Sequence, residues 1–133
     1  MTFKRTGLIL YVKKYEECIT FYNEIIELDI LFKDTELTCF DLYGTYLMVE
    51  KEDRREYLQL KENFDKNFSC IRINVENVKA MADNLIRKNI KVDYQEHSWG
   101  TVAKFFDPEG NMLAYKDEES FMSQIEKYII RSE

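Results

Sequence analysis

The sequence predicts an α+β chain built from two like halves, each running strand, helix, three strands, with one helix appended at the C-terminus. Three observations carry this reading. Two segments, each following a β-prone strand, repeat their apolar residues at helical spacing. Each is followed by three short runs suited to strands. Laying Val12 on Val75 superimposes both strands and both helices at an offset of 63 residues with slight residue identity, so the repeat is one of pattern. Each half is too small to bury a sheet face alone, and two would pair their sheets into one larger curved sheet.

In chain order, Gly7 to Val12 is a strand with at least one buried face. From Tyr15 to Leu28 the apolar positions Tyr15, Cys18, Ile19, Tyr22, Ile25 and Ile26 describe an amphipathic helix, with Glu16, Glu17, Asn23, Glu24 and Glu27 toward water. Strands are expected at 29–33, 36–43 and 45–50, with Tyr43-Gly44 as a tight hairpin connection in which Gly44 is free to take positive φ. Residues 51–67 are charge-rich and read as a connector, with a helical turn around Tyr57 to Leu60. Ser69 to Val75 then alternates as a strand, and Val78, Met81, Ala82, Leu85 and Ile86 mark the second helix. Strands follow at 91–95, 101–106 and 111–116, and Phe121, Ile125, Tyr128 and Ile129 define the C-terminal helix over 119–131, with Ser120 as its N-cap. The chain is thus expected to be one domain over 1–133, with module one at 5–50, the connector at 51–67 and module two at 68–117.

Composition excludes several classes. With 45% apolar and 33% charged residues, 9 Phe and 9 Tyr, the chain can bury a core without staples, which rules out bulk disorder. Its longest clean apolar run, Gly7 to Val12, is far short of the ~20 residues that cross a bilayer, and Lys13 and Lys14 close it with no cleavage site behind. A cytoplasmic protein without membrane contact is expected. The net charge of −6, with acids interleaved through Lys51-Glu52-Asp53-Arg54-Arg55-Glu56, argues against nucleic acid. Cys18, Cys39 and Cys70 are widely spaced in apolar sequence and read as buried reduced thiols. His97 is the only histidine, so one chain cannot build a two-histidine metal site. It falls in Gln95-Glu96-His97-Ser98-Trp99-Gly100, read as a loop, where a solvated histidine is the plain reading and a general acid/base the sharper one.

The most specific string is Trp99-Gly100, a strand, then Asp107-Pro108-Glu109-Gly110-Asn111 and another strand. Its physics is that of a hairpin turn: Asp107 accepts from following amides, Pro108 presets φ, and Gly110 permits positive φ at the exit. Together with the repeat, and with Phe21-Tyr22 on the first helix, this string resembles the vicinal oxygen chelate superfamily, which includes glyoxalase I, bleomycin- and fosfomycin-resistance proteins, extradiol dioxygenases and methylmalonyl-CoA epimerase. The resemblance covers nearly the whole chain. It implies paired βαβββ modules whose sheets curl around a cleft, and it does not choose among the family's functions.

The resemblance also implies where a divalent metal would be held, through four side chains on four cleft strands. Carried over position by position, these fall on Gly7, Met48, Cys70 and Ala114, with Glu50 as a substitute for Met48 two residues on. Gly7 and Ala114 offer no donor, while Met48 and Cys70 are soft ligands suited to Cu(I), or plain core residues. The expectation is therefore no metal, no cofactor and no catalytic residue. Strand parity then places Ile9, Tyr11, Tyr46, Glu50, Arg72, Asn74, Met112 and Lys116 on the cleft side, with Val102, Lys104 and Phe106 beside them. The expected ligand-binding set is Tyr11, Tyr46, Met48, Glu50, Cys70, Arg72, Asn74, Lys104 and Phe106, a mixture suited to a small amphipathic molecule. The function this supports is metal-independent binding or sequestering of such a ligand by a homodimer, the assembly that the resemblance implies. A glyoxalase-like lyase or isomerase with a displaced or absent metal site, and an interaction module with a vestigial cleft in which Arg72 pairs with Glu50, stand as alternatives.

Overall fold

A computed structural model of the chain describes Thr2, residues 4–59 and residues 69–132. The residues form two compact units. The first is Met1–Lys66 with Asp107–Gly110, and the second is Asn67–Phe106 with Asn111–Glu133.

The first unit contains β1 (Gly7–Val12), α1 (Tyr15–Thr20), β2 (Ile30–Lys33), β3 (Leu37–Asp41), β4 (Tyr46–Lys51) and the short α2 (Arg55–Leu58). Its sheet has the order β1-β4-β3-β2, with β1 parallel to β4 and the other pairs antiparallel. Tyr15, Cys18, Ile19, Phe21 and Tyr22 pack onto Val12, Thr38, Phe40, Leu47 and Val49, all buried. Tyr22 meets Phe21 edge-on at 5.1 Å between ring centroids and Phe40 at 6.0 Å. The first helix is shorter than its apolar spacing predicts. After Thr20 it widens into a π-turn over Phe21–Ile25, and Glu27, at φ 65°, ends it in the left-handed region. Leu28 N–H then returns to the Tyr22 carbonyl at 2.9 Å. The strand expected at 36–43 is limited to Leu37–Asp41, because the chain turns at Tyr43 and Gly44, both with positive φ.

In the second unit β5 (Cys70–Val75), α3 (Val78–Arg87), β6 (Asp93–His97), β7 (Gly100–Phe106) and β8 (Met112–Asp117) repeat the plan, followed by α4 (Glu118–Ser132). The sheet order β5-β8-β7-β6 has the same parallel and antiparallel pairs. Val78, Ala82 and Leu85 of α3 are buried, as are Ala103, Phe105, Leu113 and Tyr115 on the sheet.

Three expectations are corrected here. The strand placed at 91–95 runs two residues later, and His97 ends it as a strand residue paired with Gly100, not a loop residue. Ladder pairing with β7 overrides the apolar signal of Ile90 and Val92. Asp117, not Ser120, caps α4: its carboxylate accepts the Ser120 N–H at 2.8 Å, so Ser120 lies inside the first turn. Cys70 is exposed, because β5 is an edge strand, whereas Cys18 and Cys39 are buried as expected. The connector's helical turn is Arg55–Leu58, and the part of the expected connector from Leu60 to Asn67 lies outside the described residues. No helix among the described residues is long and apolar enough to cross a membrane.

Candidate functional site

Each sheet has one face covered by its helix and one turned away from it. In the first unit the face away from α1 carries Gly7, Ile9 and Tyr11 from β1 and Tyr46, Met48 and Glu50 from β4. The ladder pairs Gly7 with Tyr46, Ile9 with Met48 and Tyr11 with Glu50. In the second unit three rows cross the corresponding face. They are Cys70–Met112–Phe106, Arg72–Ala114–Lys104 and Asn74–Lys116–Val102. All nine sequence-predicted site residues therefore lie on these two faces, four on the first and five on the second.

Arg72 and Lys104 flank the small, buried Ala114, so two cationic side chains share one rung with nothing bulky between them. Phe106, 49% exposed, offers an apolar surface one rung away, beside Met112 and Cys70. Partial burial pushes the Cys70 thiol above the usual thiol range, although the charges of Arg72 and Lys104 pull it down. Asn74 leaves the rung to donate to Glu118 at 2.9 Å. Lys116 is buried against Trp99, Asp117 and Ser120, so it is a structural cation and not a free one. Gly100, at φ +146°, passes so close to Lys116, Asp117 and Ser120 that any side chain there would collide with them. Burial would raise the Asp117 carboxyl, but the Thr101 and Ser120 N–H groups, the Ser120 hydroxyl and Lys116 outweigh it and hold it well below the usual carboxylate range. The His97 ring stacks on Trp99 at 4.6 Å between centroids.

The Asp107-Pro108-Glu109-Gly110 turn does more than reverse the chain. Gly110 N–H closes it on the Asp107 carbonyl at 3.0 Å, and Gly110 takes φ +94°. Asp107, 5% exposed, accepts the Tyr22 hydroxyl at 2.7 Å inside the first unit. Burial, with the Asp107 carboxylate beside it, keeps the Tyr22 hydroxyl protonated far above the ordinary phenol range. The Glu109 carboxylate accepts the N–H groups of Lys13 and Lys14, both at 2.9 Å, and so caps α1, whose own N-cap residue Lys14 supplies no side-chain bond.

A group that the sequence reading missed lies at the end of β4. Arg54 donates Nε and Nη2 to the two oxygens of Glu52 at 2.8 and 3.0 Å, and its guanidinium lies over the Tyr11 ring at 4.3 Å and the Tyr57 ring at 4.2 Å. The Arg54 bond, chiefly, holds the Glu52 carboxyl below its usual range against an opposing burial effect. Within a run of alternating charges this cluster leaves no local periodicity, since Tyr11 comes from a distant strand. A depression of about 550 Å³, lined by Tyr15, Glu16, Lys33, Asp34, Thr35 and Lys51, carries both signs of charge and selects neither.

The positions at which a metal would be held do not fit one. Gly7 pairs with Tyr46 as Cys70 pairs with Met112, so the rung equivalent to Ala114 holds Met48 and not Glu50. The Tyr46 ring fills the space in which a side chain at Gly7 would begin, and Ala114 is buried and donorless. Within neither unit do three His, Cys, Asp or Glu side chains of the described residues converge.

Comparison with known proteins gives a consistent family. The family model described as Glyoxalase/Bleomycin resistance protein/Dioxygenase superfamily matches residues 4–115. Among solved structures, a lactoylglutathione lyase from Agrobacterium tumefaciens is 15% identical, with 88% of this chain and 95% of that chain covered and a TM-score of 0.69. A putative glyoxalase family protein from Bacillus anthracis is 17% identical over 88% and 96% of the two chains, with a TM-score of 0.67. The protein UcmS2 is 17% identical over 87% and 98%, with a TM-score of 0.72. These likenesses share the fold, and no curated protein matches the sequence. The match over residues 4–115, with the two βαβββ units that the structure shows, places the chain in the glyoxalase/bleomycin resistance protein/dioxygenase superfamily.

Proposed function

We propose that this chain is a metal-independent member of its superfamily that binds or sequesters a small amphipathic ligand, holding an anionic group of that ligand on the open face of the second sheet. The observation that carries the reading is the Arg72–Ala114–Lys104 rung. Two cations flank a residue too small to fill the space between them. Among the described residues of its own unit, Arg72 makes no hydrogen bond or ion pair. A planar guanidinium fork matches a carboxylate or phosphate with two parallel hydrogen bonds, and Phe106 supplies a flat apolar contact. Metal independence rests on Gly7 and Ala114, which can donate nothing.

The test is a thermal-shift screen of carboxylated aromatics and phosphorylated metabolites, repeated on Arg72→Ala. Anionic aromatics stabilise the native protein, and the variant loses about 1.5–3 kcal/mol of affinity, the worth of hydrogen bonds to a charged group. Hits that favour cations, or that bind the variant equally well, overturn the reading. Elemental analysis after exposure to Zn, Ni, Mn and Fe shows no stoichiometric ion. One tightly bound ion per chain refutes metal independence.

The working form proposed is a cytoplasmic homodimer, since two-fold dimers are the commonest assembly and α4 leaves Phe121, Ile125 and Ile129 well exposed. Light scattering at micromolar concentration that returned the monomer mass of 16.1 kDa would refute it.

A further inference from the structure

The Glu52–Arg54 cluster has the parts of a receptor for one functional group. Guanidinium recognition needs a carboxylate presented edge-on to the fork and aromatic rings against its faces. The first unit supplies both. The Glu52 side chain is only 5% exposed, with both oxygens directed at the fork at 2.8 and 3.0 Å. Tyr11 and Tyr57 bring their ring centroids to within 4.3 Å of the guanidinium carbon, and both residues remain 44% exposed. Glu50, the ladder partner of Tyr11, adds a second carboxylate on the same sheet face. The Glu52 backbone is fixed to the sheet, its N–H donating to the Val12 carbonyl at 2.9 Å, and the Arg54 N–H donates to one carboxylate oxygen at 3.3 Å, so the carboxylate does not depend on the guanidinium alone for its position. The occupant is less firmly held, for the Arg54 side chain is 43% exposed and its helix α2 is a single turn.

We propose that Glu52, Tyr11 and Tyr57 form a binding site for small molecules bearing a guanidinium or amidinium group, which Arg54 fills in cis. Arg54 is then a built-in competitor, and a ligand of this class enters by displacing it. An intramolecular occupant lowers the apparent affinity by the fraction of molecules whose site is open. Alkylammonium ions, which cannot present a planar fork, are poor substitutes. The site lies wholly within the first unit and is independent of the anion-binding face proposed for the second.

The experiment is an NMR titration of the full chain with methylguanidinium, following the Tyr11 and Tyr57 ring signals, with methylammonium as the control of equal charge. Arg54→Ala binds methylguanidinium saturably and about tenfold or more tighter than the native protein, as expected when an internal competitor is removed. Adding Glu52→Gln to that variant abolishes binding. Arg54→Lys, which keeps the charge but not the fork, guards against misfolding of the alanine variant and also binds more tightly than the native protein. The proposal is overturned if neither Arg54 variant binds more tightly than the native chain, if methylammonium binds as well, or if Glu52→Gln leaves binding unchanged.

Discussion

On the ladder of the first unit the rung Ile9–Met48 stands where the second unit has Arg72–Ala114, and Tyr11–Glu50 stands where it has Asn74–Lys116. Strand order and strand direction are the same in both units, and so are the rungs of β1–β4–β3 and β5–β8–β7; only the β2–β3 ladder, which shifts register between Ile30 and Phe32, departs from its regular counterpart β6–β7. The side chains on the open faces are not the same. A carboxylate beside tyrosines marks one, and two cations around an alanine mark the other. The faces turned to the helices stay apolar in both, with Leu47, Val49 and Phe40 in the first and Leu113, Tyr115 and Phe105 in the second. The difference teaches that the helix-side faces hold the fold, which leaves the open faces free to diverge in chemistry.

The strongest way to break that comparison is to empty one core at a time. Phe40 and Phe105 are both fully buried. Phe40→Ala and Phe105→Ala should each cost about 3–5 kcal/mol, the lost transfer energy plus the cavity left behind. Urea denaturation measures this. A cost under about 1 kcal/mol at either site, the range of a tolerated core change, would show that its helix-side face does not hold the unit together.

A second, smaller effect tests the turn between β7 and β8. Asp107→Ala leaves the buried Tyr22 hydroxyl without its acceptor, and an orphaned buried polar group costs about 1–3 kcal/mol. Tyr22→Phe removes the donor instead and should cost less, because Asp107 also accepts the Glu109 N–H at 2.9 Å. Equal losses from the two variants would show that the hydrogen bond, and not the orphaned group, sets the energy.

Much of this architecture was legible in the sequence because periodicity is a local signal. Eight strands and the long helices follow from alternation and helical spacing, and the hairpin string pointed to the superfamily. What escaped depends on partners far along the chain. The strand expected at 91–95 is placed at Asp93–His97 by its pairing with β7, a register that no alternation in this polar edge strand announces. The open-face position of Lys116 was readable from parity, but its burial requires Gly100, Trp99 and Ser120 to close around it. The Arg54 cluster needs Tyr11, more than forty residues away, and so looked like a solvated charge run. Whether the nine open-face residues bind anything is a question of ligand chemistry, on which strand parity is silent.

Helix capping gives the third contrast, and it depends on pH. The long helix of the second module, α3, is capped by the neutral Asn77, which accepts the Ala80 N–H at 3.0 Å, whereas α4 is capped by the Asp117 carboxylate. Asp117 has a depressed folded-state pKa. Its contribution is therefore complete above the ordinary carboxylate range, near pH 4, and is lost as pH falls through the lower folded value. Asp117→Ala should cost about 1 kcal/mol at neutral pH, with loss of helical circular dichroism from α4. The gap between native and variant should narrow on acidification. A gap that stays constant from neutral pH to the acid limit would remove Asp117 as its source.

The smallest expected effect is the sharpest test of the division of labour. If the open faces do not hold the fold, Arg72→Ala and Lys104→Ala should shift stability by no more than about 0.5 kcal/mol, the ordinary range for exposed positions. Both side chains are exposed, and Arg72 has no hydrogen-bond or ion-pair partner among the described residues of its unit. Removing Arg72 also removes a charge that lowers the Cys70 thiol, so Cys70 should react more slowly with a thiol reagent at fixed pH in the variant than in the native chain. Cys18 and Cys39, buried in the first unit, should react only on unfolding and so serve as the internal reference. A destabilisation above about 1.5 kcal/mol in Arg72→Ala would be too large for a solvated charge and would mark Arg72 as half of a structural ion pair. The same urea curves would then withdraw its role as the anion-binding group, whatever the ligand screen returned.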